Sequence, residues 1–137
     1  MDKVDVKWTN DAQNTIHYHF QKGWGWDDLD NAFKAAWALM DTVSHKVDVI
    51  LDFTESTMSV PGGALTHGRR IFNNKPHANL RMTVLVGNRF ISQLTEMARS
   101  FLPKGLNQWD LRFAISVEQA HAMIQERINK ESEGSNS

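Results

Sequence analysis

The stretch KVDVILDFTESTMSVPGG, residues 46–63, constrains the chain more than any other. Apolar residues at Val47, Val49, Ile50, Leu51 and Phe53 give way to small polar residues and then to Pro61-Gly62-Gly63. Val and Ile are stiff about their first side-chain torsion and suit a pleated strand. The polar run suits a loop with free backbone N–H groups, and the glycine pair opens a helix. A parallel α/β domain usually keeps its binding site where a strand's C-terminal end feeds such a loop.

The rest of the chain can be arranged around that strand. Val4, Val6 and Trp8 alternate with Asp5 and Lys7, and Ile16, Tyr18 and Phe20 alternate with His17 and His19. Two such period-two runs joined by a turn read as an antiparallel hairpin. A helix is predicted over 26–44, its apolar stripe formed by Leu29, Phe33, Ala36, Trp37, Met40 and Val43. Asp27, Asp28 and Asp30 favour the positive end of its dipole. A second helix runs from the glycine pair to about Asn74 and faces Leu65, Ile71 and Phe72 inward. Residues 81–86 form the next strand, with Met82, Val84 and Val86 on one face. Asn88 caps a third helix along Phe90, Ile91, Leu94, Met97, Ala98 and Phe101. Leu111, Phe113 and Ile115 mark a fifth strand. Ser116 and Gln119 form a capping box for a last helix carrying Val117, Ala120, Met123, Ile124 and Ile128.

The order is ββαβαβαβα. Right-handed crossovers that land on one face require neighbouring strands to follow in sequence. Four strands carry a polar companion face: Asp5 and Lys7, His17 and His19, Asp48 and Asp52, Arg81 and Thr83. A sheet covered on both sides would be apolar throughout. The expectation is therefore an α/β fold with a singly wound, mixed five-stranded sheet. Its order is 1-2-3-4-5, the first strand is antiparallel, and all the main helices lie on one face. Residues 1–128 form a single domain, and 129–137, NKESEGSNS, form a disordered tail.

Composition narrows the function. A net charge of −1 and a pI near 6.6 offer no basic field to nucleic acid or anionic lipid. Cysteine is absent, which removes disulfides and thiolate chemistry. With no signal-peptide core and no membrane-length apolar run, the expectation is a cytoplasmic protein without membrane insertion, a monomer or weak homodimer. No cofactor motif and no nucleophile–base pair is visible, so an enzyme is not expected. Gly63 to Arg70 lacks the Lys and Ser/Thr of a phosphate-binding P-loop. His17 and His19 alone supply too few ligands for zinc.

LDFTES after the third strand, the helix opening at Pro-Gly-Gly and the ending FAISVEQAHAMI together resemble the STAS domain, the sulfate-transporter and anti-sigma-factor-antagonist fold, in its SpoIIAA-like form. The resemblance implies a regulatory or protein-interaction module. In regulatory members a D-S-S/T-G-L-like segment opens the helix after the third strand, and its second Ser or Thr is phosphorylated. Laid on this chain, the segment falls on Val60-Pro61-Gly62-Gly63-Ala64, and only Gly63 survives. Val60 replaces the acid and Gly62 stands at the acceptor position, leaving Ser59 and Thr66 as the nearest hydroxyls.

Candidate partner- or ligand-binding residues gather at one edge: Trp24, Trp26, Thr54, Ser56, Thr57, Gly62, Gly63 and Asn88. Gly25 is the expected N-cap, with Trp24 and Leu29 at staple positions and Asp28 at the third helical position. That accounts for Trp24 and leaves Trp26 available as an anchor. The alternative function is a small-molecule or lipid carrier, its cavity lined by Trp37, Phe72, Met97 and Phe101.

Overall fold

A computed structural model gives the architecture and describes residues 3–56, 63–72, 75–89, 91–93, 95–96 and 109–135. The strands are β1 (Val4–Trp8), β2 (Thr15–Phe20), β3 (Val47–Asp52), β4 (Leu80–Val86) and β5 (Leu111–Ala114). The helices are α1 (Trp26–Met40), α2 (Ala64–Phe72), α3 (helical at 89, 91–93 and 95–96) and α4 (Val117–Ser135). The strands form one sheet in the order β1-β2-β3-β4-β5. β1 is antiparallel to β2 and every later pair is parallel. Strand order and direction are as the sequence predicts.

Pleat parity divides the core in two. On one face Ile16, Tyr18, Phe20, Val47, Val49 and Leu51 pack with Leu29, Ala32, Ala36 and Met40 of α1, Ile71 of α2 and Ile91 of α3. On the other face Ile50, Met82, Val84, Val86 and Ala114 pack under Ala120 and Ile124 of α4. β3 is consequently buried along its whole length. The expectation that all helices share one face is corrected here: α1, α2 and α3 do, and α4 takes the opposite side. The physical reason is that the crossover rule governs only a helix between two parallel strands. Among the described residues no strand of this sheet follows α4, so the rule does not fix its side, and it covers the face the others leave open.

A second correction concerns β4. The β3–β4 register slips between Val47 and Val49, whose partners are Leu80 and Thr83. One extra residue in β4 is a β-bulge, which places two consecutive side chains on the same side. Arg81 joins Met82 on the α4 face, while Thr83 points to the other, so the pair does not share a polar face. Asp48, expected on an open surface, is fully buried against Arg81. α4 is drawn through Ser135, past Asn129, from which the sequence leads one to expect a disordered tail. Glu131 pairs with both Arg127 and Arg81, and Lys130 with Glu126, so this segment has partners that its composition alone does not suggest.

Candidate functional site

Because β2, β3 and β4 are parallel, their C-terminal ends open at the same edge of the sheet. There the turn before α1, the loop after β3 and the turn after β4 come together. Gly25 caps α1 from an extended conformation, and its N–H donates to Asp28 Oδ2 at 2.8 Å, half of a capping box. Trp24 is buried, its ring 4.9 Å from Phe20, 5.1 Å from Trp26 and 5.9 Å from Phe53. Its indole N–H has no hydrogen-bond partner among the described residues. Trp26 is only half-buried. Its ring stacks on His67 of α2 at 4.5 Å and 12°. Gly63 makes that approach possible. At φ +84 it holds a left-handed turn, its C=O accepts the His67 N–H at 2.9 Å, and a Cβ there would lie 3.2 Å from the imidazole.

Beside this rim lies a polar cluster built on Asp52. Its Oδ1 accepts from the Thr54 N–H at 2.9 Å and the Thr54 hydroxyl at 2.6 Å, and its Oδ2 lies 2.9 Å from His17 Nε2. A carboxylate can only accept, so the imidazole carries its hydrogen on Nε2. Burial pushes the Asp52 carboxyl up, but the His17 and Thr54 hydrogen bonds outweigh it and hold the group at about 2. Next to it His19 Nε2 is 3.1 Å from Glu55 Oε2. Each histidine thus engages its own carboxylate, and no cluster of three or more metal-ligating side chains occurs among the described residues. Thr54 gives its hydroxyl hydrogen to Asp52 and Ser56 gives its own to the Phe53 carbonyl at 3.0 Å. The Thr54 hydroxyl thus rests on a carboxylate that also holds His17, whereas the Ser56 hydroxyl rests on a backbone carbonyl. The cluster ties β2 to the loop after β3.

The structure therefore sorts the candidate residues. Trp24 and Ser56 are interior, Thr54 serves Asp52, and Asn88 is the N-cap of α3, with Oδ1 accepting the Ile91 N–H at 3.3 Å. Trp26 and Gly63 remain at the rim. Thr57 and Gly62 lie outside the described residues, as do Ser59, Met97 and Phe101. His17, Asp52 and His67 were not in the expected site. The signal for the first two was present: each sits on the polar side of a neighbouring strand, so pairing β2 with β3 brings them together.

Compared with protein-family models, curated proteins and solved structures, the chain matches none.

A groove of about 630 Å³ lies between α1 and α2 and adjoins this rim through Arg70, whose Nη2 is 3.2 Å from His67 Nδ1. Phe33, Trp37 and Trp109 line it, with their ring centroids 5.8 to 6.2 Å apart. Arg70 and Asp30 close one side through a 3.0 Å ion pair. Of the four residues expected around a carrier cavity, Trp37 is the one whose side chain is described. No described helix is long and apolar enough to cross a membrane.

Proposed function

We propose that this chain is a non-enzymatic, cytoplasmic interaction module of STAS or SpoIIAA-like type, which recognises a protein partner through the rim formed by Trp26 and His67. The observation that carries this reading is their ring stack, half-buried and joining the first turn of α1 to α2 at the C-terminal edge of the sheet. A preassembled aromatic pair offers apolar area whose ordering has already been met within the free protein, and Trp is enriched among residues that dominate binding. The sequential strand order supports a surface rather than a crevice, because it contains no topological switch point. With Gly62 at the position of the usual phosphoacceptor, the module works without that switch. Any regulated modification would use Ser59 or Thr66.

The test is cross-linking and mass spectrometry of complexes formed in native extract by the wild type, Trp26→Ala and His67→Ala. A stoichiometric partner held by the wild type and lost from both variants, with folding intact, supports the reading. A partner retained by both overturns it.

The aromatic groove favours a second reading, a small-molecule or lipid carrier. Three rings around about 630 Å³, with Lys34, Lys75, Asp41 and the Arg70–Asp30 pair on the lining, would suit a flat amphipathic molecule. Native mass spectrometry decides between the two. A co-purified small molecule released by Trp37→Ala, with partner capture unaffected by Trp26→Ala, would favour the carrier.

A further inference from the structure

β1 is the outer strand of the sheet: β2 pairs along one side, and among the described residues no strand lies along the other. The ladder shows which backbone groups are left. Gln21 N–H donates to the Lys3 carbonyl at 2.8 Å, and Thr9 N–H to the Thr15 carbonyl at 2.9 Å. In antiparallel pairing such residues alternate, so Lys3, Asp5, Lys7 and Thr9 turn their backbone toward β2. Val4, Val6 and Trp8 turn theirs outward. Their side chains lie on the α1 face. There a groove of about 570 Å³ runs between β1 and α1, lined by Val4, Val6, Asn31, Ala32 and Ala35. On the opposite face the charges run Lys3, Asp5, Lys7.

We propose that the outer side of β1 is a homodimer interface, on which a second copy of this chain pairs antiparallel about a two-fold axis through Val6. The charges select both the occupant and the register. Only residues with outward backbone groups can form the hydrogen-bonded pairs, so Val6 meets the partner's Val6 and Val4 meets the partner's Trp8. Asp5 then faces the partner's Lys7, and symmetry repeats that pair. Sliding one ladder step either way sets Asp5 against Asp5 or Lys7 against Lys7. Sliding two steps shortens the ladder. Lysines on an edge strand discourage pairing with arbitrary strands, and the aspartate between them makes one self-complementary register favourable. On the other face the partner's Trp8 enters the groove beside Val4, where Ala32 and Ala35 leave room for an indole. The two sheets become one.

Sedimentation equilibrium of the full chain over a dilution series tests this. The wild type should show a concentration-dependent dimer. Val6→Pro removes an N–H that β2 does not use, so it should be a folded monomer by circular dichroism. Asp5→Lys should raise the dimer dissociation constant about tenfold or more, by replacing two attractive cross-strand pairs with repulsive ones. The double variant Asp5→Lys/Lys7→Asp should restore dimerisation, because it inverts both pairs. This charge series decides the matter if Val6→Pro fails to fold. A wild type that is monomeric at every concentration overturns the proposal. So does a dimer indifferent to Asp5→Lys, or one that the double variant does not restore.

Discussion

Arg81 grips Asp48 with two nitrogens, Nε at 3.0 Å and Nη2 at 2.6 Å from the two carboxylate oxygens, at the point where β3 and β4 slip by one residue. Before the slip Val47 lies beside Leu80, so Asp48 and Arg81, the next residue of each strand, turn to the same α4 face. Arg81 thereby supplies the counter-charge to a fully buried carboxylate. Glu131 of α4 engages the remaining amino group of Arg81, so the pair also anchors the far end of the last helix.

Breaking this pair from one side should be costly. Asp48→Ala leaves a guanidinium that is mostly buried and without its fork partner, and is expected to lose about 3–5 kcal/mol in urea unfolding. Replacing both partners, Asp48→Leu with Arg81→Met, should lose less than Asp48→Ala alone, because no uncompensated charge remains. Glu131→Ala, at an exposed carboxylate, should lose under about 1 kcal/mol.

Asp52 predicts a pH dependence with a definite sign. Its carboxyl is held at about 2 in the folded chain, below the ordinary 3.8. A depressed folded value means that the stabilisation is complete above about pH 4 and is lost as pH falls from 4 toward 2. The shift corresponds to about 2 kcal/mol. Stability of the wild type and Asp52→Asn measured against pH should therefore differ most near neutrality and converge only as pH falls to about 2.

Gly87 leaves no room for a side chain. A Cβ built there would lie 2.7 Å from Ile91 Cγ1, 3.1 Å from Ile91 Cβ and 3.4 Å from Phe53 Cβ. Because Ile91 is buried and branched, it cannot simply swing aside. Gly87→Ala should destabilise by about 1–3 kcal/mol, the range for overpacking, and lower the melting temperature.

The two tryptophans around Gly25 should separate in denaturant unfolding. Trp24→Ala empties a site ringed by Phe20, Phe53 and Trp26 and should cost about 3–5 kcal/mol. Trp26→Ala removes a half-buried ring and should cost about 1 kcal/mol, scaled to the smaller area it covers. If the two losses are equal, Trp26 is a core residue and the rim is not a binding surface.

Strand directions and order were legible in the sequence because alternation in β1 and β2, and the apolar run of β3, are local properties. The caps at Gly25, Asn88 and Ser116 were legible for the same reason; Ser116 Oγ accepts the Gln119 N–H at 3.0 Å, although the Gln119 amide oxygen turns to Ile115. What the sequence hid depends on register. A bulge shifts the pleat by one residue and leaves no mark on composition, so Arg81 read as a companion of Thr83 and Asp48 as a surface carboxylate. His17 and Asp52 are brought together by the β2–β3 ladder, and two separate polar alternations do not reveal that contact. The face chosen by α4 was equally invisible, since no handedness rule acts on a helix without a following strand.

The neighbour-to-neighbour strand order also has a kinetic meaning. Each new ladder is laid against the strand just before it in the chain, so no pairing has to wait for a distant segment to be found. Closing a loop between neighbours carries a smaller entropic cost than closing one across the whole domain. The sheet can grow like a fence set post by post from the β1–β2 hairpin. A lesion in β5 should then leave the earlier posts standing, whereas one in β2 should leave the hairpin and the rest of the row with nothing to join them.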